Sequence, residues 1–117
     1  MNDTKKPCNT LLAPPGVTIR REAKICIHKQ TLREYGLEDL QFVTLEYDAG
    51  MSLLKIQPSV EENSSSFKVV RERGNVPIIL CKEWLDENQI PYQDGPAKVF
   101  KADWNKSSET ILVKLSY

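Results

Sequence analysis

Cys26 and His28 are the two side chains of this sequence whose chemistry is most readily turned to catalysis or metal binding. They stand two apart in the run Lys24-Ile25-Cys26-Ile27-His28, so on a strand they share one face. A thiolate beside an imidazole is a nucleophile with its base, or two of the ligands of a metal. Structural zinc asks for four ligands, however, and the other cysteines, Cys8 and Cys81, form no Cys-x-x-Cys pair. A catalytic pair also wants a third group to orient its base. The simpler reading is Cys26 as a small, half-buried hydrophobe and His28 as an exposed residue at a helix entry. Asp39, Glu46, Asp48, Asp86, Glu87 and Asp103 are scattered over turns and strand ends, with nothing to pair them. There is no Gly-rich phosphate loop and no nucleophile elbow. No catalytic residue, metal ligand or cofactor is therefore assigned, and binding is the expected business of the chain.

The residues suited to binding are cations. Arg20, Arg21, Lys24, Lys29 and Arg33 fall between Ile19 and Arg33 against one acid, Glu22. Lys68, Arg71 and Arg73, with Lys82 beyond them, form a second group. Such side chains neutralise phosphates along a nucleic-acid groove while one or two read bases. The plainer reading is a set of solvated faces, because Glu22, Glu34, Glu72 and Glu83 are interleaved with them. Across 117 residues, 16 Lys and Arg balance 16 Asp and Glu. A net charge of zero argues against attachment to DNA or anionic membrane by bulk charge, and leaves a local contact surface.

These cations must be positioned by a small β-rich frame. Val17-Thr18-Ile19-Arg20-Arg21 and Lys24-Ile25-Cys26-Ile27-His28 read as two strands of a tight hairpin turning at Glu22-Ala23. A short helix through Thr31-Leu32-Arg33-Glu34-Tyr35 is closed by Gly36, which takes the left-handed conformation cheaply. Phe42-Val43-Thr44-Leu45-Glu46-Tyr47 and Leu53-Leu54-Lys55-Ile56 form a second hairpin around Asp48-Ala49-Gly50. The same order then recurs. Phe67-Lys68-Val69-Val70-Arg71, a turn at Arg73-Gly74-Asn75, and Val76-Pro77-Ile78-Ile79-Leu80 precede a helix over 82–88 that ends before Ile90-Pro91. Strands over 97–104 and 110–115 close the chain. Trp84, Trp104, Tyr35, Phe42 and Phe100 suit the interior or an interface.

This reads as a tandem duplication: an N-terminal arm over 1–16, one repeat over 17–58, a polar linker over 59–66 within Gln57–Ser66, and a second repeat over 67–117. One unit alone buries too little apolar surface to be secure, so the two should pack as a pseudo-dimer. No apolar run approaches the roughly 18 residues of a membrane helix, so no membrane partner is expected. Three cysteines, an odd number, suit a reducing, cytoplasmic setting.

Each half resembles the AbrB-like swapped-hairpin module of transition-state regulators, MraZ proteins and MazE-type antitoxins. The run from Lys24 to Leu37 is similar to the family's Gly-Arg, apolar strand, Pro, short basic helix and Leu-Gly-Ile. The segment from Glu38 to Leu45 is similar to its acidic turn and third strand. The resemblance implies a mainly β fold with two short helices, in which tandem β-β-α-β-β repeats make a swapped-hairpin pseudo-dimer barrel. It also implies a small DNA-binding transcriptional regulator whose two opening hairpins and helices share a basic face. Arg20, Arg21, Lys24, Lys29, Arg33, Lys68, Arg71 and Arg73 are its expected contacts. The alternative partner is a protein, bound by a module that keeps the fold without DNA; Ala23-Lys24 and His28 stand where the family has Gly-Arg and Pro. A homodimer of pseudo-dimers is a further expectation.

Overall fold

The computed structural model describes residues 15–62, 64–93 and 97–115. Most of the expected N-terminal arm therefore lies outside the described residues. Gly16 does not belong to it: this residue opens the first strand and is buried.

Strands β1 (Gly16–Arg20) and β2 (Lys24–Ile27) pair with Val17 opposite Ile27 and Ile19 opposite Ile25, and all four of these side chains are buried. The turn between them needs a left-handed residue, supplied by Ala23 at φ 65°, whose N–H donates to the Arg20 carbonyl at 3.0 Å. Helix α1 (Lys29–Glu34) follows, then β3 (Phe42–Asp48) and β4 (Leu53–Ser59). Gln57, Pro58 and Ser59, polar enough to suggest the start of a linker, instead continue β4 opposite Thr44, Val43 and Phe42. Pro58 is tolerated because β4 meets its other neighbour only over Leu53, Leu54, Lys55 and Ile56, so no ladder bond is asked of the proline nitrogen.

Strands β5 (Phe67–Glu72) and β6 (Val76–Leu80), helix α2 (Lys82–Glu87), and strands β7 (Lys98–Asn105) and β8 (Thr110–Lys114) complete the chain. The β5–β6 turn again uses a left-handed residue, Asn75 at φ 62°, with its N–H on the Glu72 carbonyl at 2.9 Å. Both helices end alike. Leu37 N–H returns to Leu32 O at 2.7 Å and Ile90 N–H to Leu85 O at 3.0 Å, around Gly36 and Gln89 in left-handed backbone. This closure ends each helix and buries a Leu behind it. At α2 it acts ahead of Pro91.

The strands form a closed antiparallel barrel in the order β1-β2-β6-β5-β3-β4-β8-β7. Exchanging the first four strands for the last four, in sequence, leaves that order unchanged. Hairpins from the two halves alternate around the wall: β2 meets β6 through Ile25 opposite Ile79, and β4 meets β8 through Ile56 opposite Ile111. These residues, with Val17, Ile19, Val43, Leu54, Leu85 and Val113, are almost wholly buried. Burying each such side chain favours folding by about 1.5–3 kcal/mol, and closure leaves the wall no open edge. Among the described residues no helix is long and apolar enough to cross a membrane.

Candidate nucleic-acid interface

The eight cations expected to contact DNA divide into two environments. Arg20 and Lys24 face each other across the first turn and both reach Glu72 of β5: Arg20 Nη1 lies 3.0 Å from Oε1, and Lys24 Nζ 2.8 Å from Oε2. The hydrogen bond from Lys24, reinforced by both positive charges, holds the Glu72 carboxyl below the usual carboxylate range. Arg71 is also engaged. Its Nη2 donates to the carbonyls of Glu38 at 3.2 Å and Leu40 at 3.0 Å, fastening the loop that follows α1 to the second opening hairpin.

Arg21, Lys29, Arg33, Lys68 and Arg73 are exposed. Arg21 and Arg73 stand on the two opening turns. Lys29 and Arg33 lie one helical turn apart on α1 and share a cleft of about 160 Å³ with Leu32, Glu38, Arg71 and Asn75. The barrel order brings this about, since α1 belongs to the first half and Arg71 and Asn75 to the second. Three cations thus meet one carboxylate in a concave site, where charge acts more strongly than on an open surface.

The expected common face of both helices is not what the charges make. The exposed residues of α2 are Lys82, Glu83, Asp86 and Glu87. Lys82 is bound at 3.0 Å to Asp86, whose other oxygen accepts the Tyr92 hydroxyl at 2.7 Å. Glu72 and Asn75 are the contributors that sequence reasoning missed. Glu72 had a signal in the sequence: it occupies in the second opening hairpin the place that Arg20 holds in the first, immediately before a three-residue turn.

Cys26 and His28 have separate partners. Cys26 Sγ lies 4.0 Å from Arg20 Nη2, yet burial outweighs the guanidinium and pushes the thiol up. His28 Nε2 is hydrogen-bonded to Thr18 Oγ1 at 2.6 Å, and burial lowers its imidazole. Its backbone N–H donates to Gly16 O at 3.1 Å, where Thr31 Oγ1 also donates at 2.7 Å. Cys81, pushed up to about 12 by burial, belongs to the core. Among the described residues no group of three metal-ligating side chains occurs.

Tyr35, at the end of α1, stacks on Trp104 of β7 with ring centroids 5.1 Å apart, and its hydroxyl donates to Ala102 O at 3.2 Å. The helix bearing Lys29 and Arg33 is thereby held against the other half. Compared with known proteins, the chain matches no family model, no curated protein and no solved structure.

Proposed function

We propose that the chain is a small, non-enzymatic DNA-binding regulator, built from two AbrB-like repeats whose opening and closing hairpins interleave as a swapped pseudo-dimer. The strand order, unchanged on exchange of the halves, supports the architecture. The observation that carries DNA binding is the cleft in which Lys29, Arg33 and Arg71 converge against Glu38 alone. Cations so grouped release counterions when they meet phosphates, and the Asn75 amide is suited to donate and accept at a base edge. Arg21, Lys68 and Arg73 extend the contact as exposed cations. Titrating affinity for a mixed-sequence duplex against salt tests the reading. Affinity should fall linearly on logarithmic axes as salt rises; no affinity at low salt, or affinity indifferent to salt, would exclude it.

A second reading is a protein-interaction module, acting as an antitoxin-like partner, inhibitor or assembly factor. Its support is the neutralisation of Arg20 and Lys24 by Glu72 of the chain itself. Recovery of one protein partner in fixed proportion after nuclease treatment, with no duplex affinity, would favour it.

A further inference from the structure

We infer that the duplex contact is one-sided: the phosphate backbone seats in the cleft between α1 and the β5–β6 turn, and the α2 side of the barrel stays out of it. The inference rests on the DNA-binding reading above and adds to it which surface is used.

The two helices are counterparts in length, in the buried leucine and in their closure, and differ in charge. Each has six residues, begins with Lys, buries a Leu at its fourth position and ends in the same closure. On α1 the exposed Lys29 and Arg33 open onto the cleft, with no acid in the first turn. On α2 the first turn carries Glu83, and Lys82 is neutralised by Asp86, which stands where α1 has Arg33; both helices end in an exposed glutamate, Glu34 and Glu87. Duplex DNA presents a negative charge about every 1.7 Å along its axis, so it gains at α1 and is repelled at α2. Arg71 strengthens the difference. Its two backbone acceptors hold the guanidinium at the cleft wall, so little side-chain freedom is left to lose when a phosphate arrives.

A two-fold dimer places both recognition elements on DNA and favours inverted repeats. Here one helix engages, so one chain occupies a single short stretch and inverted symmetry brings no advantage.

The test is fluorescence anisotropy with a labelled mixed-sequence duplex over a range of salt, using the full chain. Lys29→Ala with Arg33→Ala should weaken binding by about tenfold or more at low salt and flatten the logarithmic salt slope by about two. Lys82→Ala should change neither, and Arg33→Lys should keep most of the affinity. Circular dichroism checks that the variants, all at exposed positions, stay folded. The inference is overturned if Lys82→Ala flattens the slope by about one, as the loss of a phosphate contact would, or if the double variant binds like the wild type. A wild-type chain without salt-dependent affinity overturns the DNA-binding reading itself, and this inference with it.

Discussion

Arg20 and Glu72 occupy the same place in two different hairpins, each the last residue before a three-residue turn, and they are bound to each other at 3.0 Å. Two copies of the first hairpin would set Arg against Arg, and two of the second Glu against Glu. The pair therefore favours assembly of unlike halves. Glu72→Lys, which confronts Arg20 and Lys24 with a third cation, should lower the melting temperature. Combining Arg20→Glu with Glu72→Lys should recover part of the loss in a double-mutant cycle closed by Arg20→Glu alone. Both side chains are one-third exposed, so added salt should shrink the coupling. A melting temperature unmoved by Glu72→Lys would remove the pair from the account of assembly.

His28, the chain's only histidine, gives stability a pH dependence with a definite sign. Burial lowers its pKa in the folded state, so the unfolded chain binds the proton more readily. Stability is then fully present above the ordinary histidine value of about 6.5 and is lost as pH falls through the folded value. Thermal melts at pH 7.5 and 5.5 should differ in the wild type and differ less in His28→Gln. The same corner depends on Gly16. A Cβ there would stand 2.9 Å from His28 Nδ1 and 3.1 Å from the Phe100 carbonyl, so Gly16→Ala should cost about 1–3 kcal/mol in chemical denaturation.

The paired helix ends offer a test in both directions. Gly36 at φ 69° has open space around it, so Gly36→Ala meets only the left-handed backbone penalty, about 1 kcal/mol. Gln89, at φ 56°, already bears that penalty. Gln89→Gly should leave stability unchanged or raise it by up to about 1 kcal/mol, measured by urea unfolding. A loss comparable to that at Gly36 would mean that the Gln89 side chain contributes more than its backbone costs.

Element order was legible because local chemistry decides it: alternating runs such as Val17-Thr18-Ile19, and left-handed turn residues such as Gly36 and Asn75. The seams between halves were not, because Ile25 finds Ile79 only once the sheet closes, and no short window contains both. Composition misled at Gln57-Pro58-Ser59, where pairing with β3 outweighs polarity. The convergence of Arg71 with Lys29 and Arg33 was hidden by distance along the chain. The acidity of α2, in contrast, stands openly in Lys82-Glu83-Trp84-Leu85-Asp86-Glu87, where three acids outnumber one cation.

The alternation of hairpins around the barrel also bears on synthesis. β2, β4 and β1 each take one neighbour from the second half, as β6, β8 and β7. While that half is still on the ribosome, the apolar faces of the first half have no wall to close against. Its vulnerable moment is therefore co-translational, with Ile25, Leu54 and Ile56 exposed to chaperones or to neighbouring nascent chains until β8 emerges.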